Sequence, residues 1–169
     1  ATRVDYYLKR LRTLASHGDA EAQYALAELL RHGTVLRTNL PQALSLYQQS
    51  AENGLGEAAF RLAQMAENGE GRPKDESAAF AFYQQAARAL YLPAYAPIAL
   101  RLAEGKGTPK SVSQSQEWVH RIQKGAERGQ PDHQLNLARC YENGVGMRAN
   151  DSAAVSLYQT HANRQNPAA

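Results

Sequence analysis

Apolar positions return along this chain every three to four residues, the period of helices buried on one side. Ala22, Leu26 and Leu30 fall at i, i+4 and i+8, which predicts a helix from about Asp19 to His32 with a single apolar stripe. Gly33 follows, a residue that ends a helix at little steric cost because it tolerates positive φ. A loop carrying Asn39 and Pro41 leads to a second stripe, Ala43, Tyr47 and Ala51, again in steps of four. Asn39, Asp75 and Asn150 have the character of N-caps, and Pro41 sits in a first turn, where proline breaks no intrahelical bond. The unit is therefore a pair of helices, A then B, and Glu52-Asn53-Gly54 turns the chain into the next pair.

The unit recurs. Ala15, Ala51, Ala87, Ala126 and Ala162 are spaced 36, 36, 39 and 36 residues apart. Gly18, Gly54 and Gly129 follow the first, second and fourth of these alanines. Leu26, Leu62, Ile98 and Leu137 fall in register with them, as do Gly33, Gly69, Gly105 and Gly144, and then Tyr47, Tyr83, Ile122 and Tyr158. This predicts one repeat domain over 1–169: a lone helix at 2–14 (a half repeat or cap), repeats at 15–50, 51–86, 87–125 and 126–162, and a tail at 163–169. No such helix pair buries its apolar face alone, so the copies are expected to stack on a common interior. The third copy departs from the beat. Leu90 replaces the linker glycine, Pro93 and Pro97 enter helix A, and three extra residues fall near Ser111 to Gln116. Its helix A should be short, late-starting or kinked, since an interior proline removes a backbone hydrogen bond. Counted from the marker alanine, Trp118 takes the slot of Ala43, Ala79 and Ala154, where its ring would fill space opened by the distortion. Simple drift of this copy is the alternative.

These residues resemble the Sel1-like repeats, relatives of the tetratricopeptide fold. The resemblance is carried by Ala22-Gln23, Leu26, Gly69-Glu70-Gly71 with Asp75, Phe82-Tyr83 with Ala86-Ala87, and Tyr141 through Gly144-Val145-Gly146. It covers about residues 15 to 162. It implies an all-α fold, a right-handed superhelical solenoid of helix-turn-helix repeats, and a role as an adaptor or assembly scaffold. By resemblance to tetratricopeptide arrays, the helix A series lines a groove, and the groove positions lie two before and two after the leucine and at the helix end. The candidate partner-binding residues are then Tyr24, Glu28 and Arg31 in the first copy and Phe60, Gln64 and Glu67 in the second. Leu100 in the third copy, and Leu135, Arg139 and Glu142 in the fourth, complete the set. Aromatics and arginine beside apolar residues are the material of interface hot spots. The rival reading is that they pack on the neighbouring helix A.

Composition narrows the choice of partner. Hydrophobic residues make up 43% of the chain, alanine supplying much of that, and the net charge is only +3. Lys9, Arg10 and Arg12 form the only tight basic cluster, so a protein or peptide partner is expected and no nucleic acid. No run of 18 apolar residues encodes a transmembrane segment. No targeting segment is evident, and a bacterial cytoplasm or periplasm is expected without a choice between them. Oligomeric state is not encoded, and a monomer is the simplest expectation.

Chemistry is sparse. The five histidines, His17, His32, His120, His133 and His161, share no spacing that sets two on one helix face for a metal. Cys140, the sole cysteine, aligns with Leu29 and Met65 and reads as a small buried hydrophobe. His133, seven residues away, would lie about 10.5 Å along the axis at 1.5 Å per residue, too far to serve as its base. Gly69-Glu70-Gly71 and Gly105-Lys106-Gly107 follow helices and lack the Lys-Ser/Thr of a phosphate loop. Glu67, Glu70, Asp75 and Glu76 read as solvated caps. The expectation is a non-catalytic interaction scaffold with no cofactor. The alternatives are a periplasmic or outer-membrane assembly factor for secretion or exopolysaccharide export, and a β-lactamase-like hydrolase using Cys140 or a carboxylate.

Overall fold

The structure, a computed structural model, describes residues 3–165. Helices begin where a side chain accepts an orphaned N–H and end where glycine turns left-handed. Asp19, Asn39, Asp75, Ser111 and Asn150 each accept the N–H three residues on, at 2.8, 3.1, 2.9, 3.4 and 3.0 Å. Gly33, Gly69, Gly105 and Gly144 close the helix A elements at φ of 69°, 71°, 77° and 64°. The described residues form nine α-helices and one 3-10 turn, with no strand; five of the helices start at such caps and four end at such glycines. The helices are α1 (Arg3–Ser16), α2 (Ala20–His32), α3 (Leu40–Glu52), α4 (Gly56–Asn68) and α5 (Glu76–Arg88), then α6 (Tyr95–Glu104), α7 (Val112–Glu127), α8 (Pro131–Asn143) and α9 (Asp151–Gln165). The expected tail is thus helical up to Gln165, while residues 166–169, and residue 2 of the expected lone helix, lie outside the described residues.

Two compact units result, one ending at Leu90 and the other starting at Tyr91. In the first, α2 pairs with α3 and α4 with α5. Their contact is lined by alanine: Ala27, Ala43, Ala58, Ala63, Ala66, Ala79 and Ala86 have no exposed surface. Side chains this small let helix axes approach, and Tyr47 and Tyr83 fill the remaining width. Ser50, also fully buried, donates to the Ala20 carbonyl at 2.7 Å.

The second unit pairs α6 with α7 and α8 with α9. Its first helix is short and late, as the prolines require. Pro93 lies in the 3-10 turn Leu92–Ala94, and Pro97 is the third residue of α6, where the first-turn N–H groups have no intrahelical acceptor to lose. The three extra residues lie inside a helix. From left-handed glycine to N-cap every copy counts alike (Gly33 to Asn39, Gly69 to Asp75, Gly105 to Ser111, Gly144 to Asn150), whereas α7 has 16 residues and α3 and α5 have 13. This corrects the place of Trp118. Counted from the cap, Ser115 takes the slot of Ala43 and Ala79, is 1% exposed, and donates to the Ala99 carbonyl at 2.7 Å. Trp118 lies one turn on, half-buried, edge-on to Tyr95 at 5.0 Å with the Arg121 guanidinium 4.9 Å from its ring centre.

One pair of positions exchanges volume. His133 stands where Ala22 and Ala58 stand in the first two copies, and Gly125 stands where they have Ser50 and Ala86. A Cβ on Gly125 would meet the His133 ring at 2.2 Å. Burial pushes the His133 imidazole below its ordinary pKa, Asp132 opposing. Leu90 shows the opposite, an uncompensated departure. It takes the left-handed turn that glycine takes at positions 18, 54 and 129, at φ 59°, the one non-glycine residue with positive φ among those described, and its side chain is 76% exposed.

Two outcomes follow from these departures. Leu90→Gly relieves strain of about 1 kcal/mol and should raise Tm by roughly 2–4 °C; an unchanged or lower Tm contradicts it. Gly125→Ala should destabilise by about 1–3 kcal/mol through overpacking, yet stabilise in a His133→Ala background, where only its better helix propensity remains. Additive effects in that double-mutant cycle, read by denaturant unfolding, would refute the exchange of volume.

Candidate functional site

The helix A elements of the first unit carry a lattice of polar and aromatic side chains. Tyr24, Glu28 and Arg31 lie on α2, and Phe60, Gln64 and Glu67 on α4, all half-buried. Glu28 is the hub. It accepts a short hydrogen bond from the buried Tyr47 hydroxyl and another from Arg61 Nε at 3.1 Å, and His32 Nε2 lies 3.1 Å from its second oxygen. Arg61 also donates to Gln64 Oε1 at 2.8 Å and to the Tyr24 hydroxyl at 3.4 Å, and that hydroxyl donates to Glu57 at 3.1 Å. Arg31 grips Glu70 with both arms, at 2.7 and 3.1 Å. The Tyr24 ring lies 5.6 Å from Tyr47, and Phe60 lies edge-on to Tyr83 at 5.4 Å. These links join α2 to α4 and each helix A to its own helix B.

The charges are stabilised in place. Burial works against ionised Glu28, but the bonds from Tyr47 and His32 and the Arg61 guanidinium outweigh it and hold the carboxyl below its ordinary pKa. Burial pushes the Tyr24 hydroxyl up to about 12, against the bond from Arg61. Tyr47 rises further, through burial and its bond to Glu28.

The second unit differs in character. Leu100 packs against the cluster of Ala96, Ala99, Val119, Ile122 and Cys140, and Leu135 and Arg139 of α8 are half-buried. Glu142 accepts the Tyr158 hydroxyl at 2.8 Å, matching the bond from Tyr83 to Glu67. The groove candidates thus occupy one helix face in each unit, and several of them also hold their own hairpin together. Arg61, one residue before the register leucine and so outside the groove offsets, was missed. Only its long-range partners mark it out.

Other candidates resolve simply. Among Glu67, Glu70, Asp75 and Glu76 only Asp75 is a cap. Glu67 holds Tyr83, Glu70 holds Arg31, and Glu76 lies 3.0 Å from Lys74, which corrects the reading of all four as solvated caps. Cys140 is 1% exposed, and burial pushes its thiol up to about 11, so little nucleophilic thiolate forms at neutral pH. No group of three or more His, Cys, Asp and Glu among the described residues is placed to hold a metal ion. No helix among them is long and apolar enough to cross a membrane.

A family model described as Sel1 repeat matches residues 20–55, 56–89 and 132–165, passing over most of the irregular third copy. Among solved structures, a Sel1 repeat protein from Oxalobacter formigenes is 28% identical with a TM-score of 0.72, the match covering 94% of this chain and 62% of that one. A protective antigen of uropathogenic Escherichia coli displaying an SLR fold is also 28% identical, with a TM-score of 0.71 over 94% of this chain and 33% of that one. The chain therefore spans less than two thirds of either protein. No curated protein matches it.

Glu28→Gln should cost about 1.5–3 kcal/mol at pH 7, the worth of hydrogen bonds to a charged group. Because the folded carboxyl titrates below its unfolded value of about 4.3, its stabilisation is complete above that value and is lost as pH falls through the folded pKa. The gap between wild type and variant, read by urea unfolding, should therefore narrow as pH falls below about 4. A gap that stays constant would show that the charge of Glu28 does not matter.

Proposed function

The chain belongs to the Sel1 repeat family, and from that premise we propose that it is a non-catalytic scaffold that holds a protein or peptide on the helix A face of its hairpins. Repeats of this family generally serve as protein-interaction scaffolds. The observation that carries the finer reading is the lattice on α2 and α4. Tyr24, Arg31 and Arg61 are residue types of interface hot spots, and each is partly exposed and already held by Glu57, Glu70 and Glu28. Side chains ordered before binding lose less freedom when a partner arrives, which raises affinity for a given contact area. The occupant is an extended segment or a helix laid along the face. Leu100, Leu135, Arg139 and Glu142 give the second unit a more apolar face of the same kind.

Truncating Tyr24 or Phe60 would also disturb the hairpins on which their rings pack, so a photo-crosslinker makes the cleaner probe. Placed at Gln64 on the helix A face, it should capture a partner in cell extract. At Ser45, exposed on α3, it should capture little. Capture from position 45 alone would move binding off the helix A face.

A further inference from the structure

Where α7 meets α8, a titratable ring is shut into the interior. His133, the third residue of α8, is 7% exposed, and its Nδ1 makes no hydrogen bond among the described residues. Nδ1 lies 2.7 Å from where a Cβ on Gly125 would stand, so the bare backbone of α7 is what covers it. On the α6 side the ring meets Tyr95 edge-on, with centroids 5.6 Å apart. Asn136, one turn along α8 and 1% exposed, donates its amide to the Leu92 carbonyl at 2.7 Å; its Oδ1 and His133 Nδ1 do not bond each other. The first two copies have Ala22 and Ala58 at the His133 position, and neither can titrate.

A proton on this ring is opposed from every side. Neutral imidazole can leave Nδ1 as a lone pair, whereas imidazolium sets a charged N–H there that needs an acceptor. His133 stands in the first turn of α8, where unsatisfied N–H groups give the helix end a positive field. The charged groups of α7 within a turn of Gly125 are Arg121, Lys124, Glu127 and Arg128, all exposed. From α9, Arg164 bonds the Gly129 carbonyl at 3.1 Å and Gln134 Oε1 at 3.0 Å, and a second titratable ring, His161, lies one turn earlier. The 3-10 turn Leu92–Ala94 brings no charge, and beyond Tyr95 the charged residues of α6, Arg101 and Glu104, lie six and nine residues further along. Asp132, beside His133 on α8, is exposed. Cations outnumber carboxylates around the ring, and no carboxylate bonds Nδ1. Burial holds the imidazole below its ordinary pKa, with Asp132 opposing. We infer that the α7–α8 junction is a proton-sensitive joint: closed while His133 is neutral, it opens in mild acid as the ring takes up a proton and α8 draws away from Gly125 to give Nδ1 water. Where the scaffold reading holds, acid then loosens the part of the binding face that α8 carries at Leu135 and Arg139. That consequence rests on the reading, and the joint itself does not.

The folded ring titrates below its unfolded value of about 6.5. The closed joint is therefore at full strength above that value and weakens as pH falls through the folded pKa. Hydrogen exchange of the whole chain, corrected for the intrinsic rate at each pH, reads this from about pH 7.5 to about 5.5, above the range in which carboxylates titrate. Opening of α8 should rise by up to about tenfold per pH unit below about 6.5, the limit for one proton, with the α5 amides unchanged. His133→Ala combined with Gly125→Ala puts back the alanines that the second copy has at positions 58 and 86, and should abolish the slope. His133→Gln, which cannot titrate, should do the same and serves if the double variant does not fold. Opening of α8 that is flat with pH in the wild type would overturn the proposal. So would a slope that survives in the folded variant, which would move the titration to His161 or elsewhere. An α8 that tightens in acid would overturn it too, as the sign of imidazolium bonded to Asn136 Oδ1.

Discussion

Ala43 and Ala79, both without exposed surface, set how closely helix B can approach helix A, and the first unit is arranged around that approach. A short helix pair has too little apolar surface to fold alone, and alanine contributes little burial per residue. What alanine provides is proximity. With the backbones close, Tyr47 and Tyr83 reach across the hairpin and end on Glu28 and Glu67. The two carboxylates lie at the edge of the core, half-buried, and the face they leave to solvent is already ordered. A requirement of packing thus orders the face on which binding is proposed.

The second unit shows what happens when the seam is altered. Ser115 keeps the small volume of the alanine slot and hands its hydroxyl to the Ala99 carbonyl, so a polar residue is tolerated at no cost in unsatisfied groups. His133 is too large for its slot and is admitted because Gly125 has given up a side chain. Leu90 has no such compensation and keeps a left-handed backbone in the open. The first two cases follow from one rule, that space at the helix crossing is conserved even where the residue is not.

Much of this was legible in the sequence. The beat of alanine, leucine, glycine and tyrosine marked the helix pairs, the caps at Asn39, Asp75 and Asn150 and a disturbed α6 (short, late or kinked), because each depends on residues within a few positions of one another. Links between hairpins were not legible. Arg61 meets Glu28 across 33 residues, and Arg31 meets Glu70 across 39, and such pairs depend on how α4 turns against α2. The added residues of α7 were misleading for a related reason. Three residues are nearly one helical turn of 3.6, so the same faces stay buried and the sequence fits almost equally well counted from either end; only the cap at Ser111 shows that Ser115, not Trp118, fills the small slot. The groove offsets placed Tyr24 and Phe60 on the helix A face but gave no sign that their rings also rest on Tyr47 and Tyr83.

The small-residue seam is tested most directly by enlarging it at one position while leaving its surroundings alone. Ala79→Leu adds volume at a fully buried site on α5, and Ala81→Leu adds the same volume at an exposed one two residues on. If helix approach is the governing constraint, thermal unfolding of the first variant should fall by roughly 3–10 °C, the effect of about 1–3 kcal/mol of overpacking, with the second close to wild type. An Ala79→Leu protein as stable as its parent, or more so, would contradict the account.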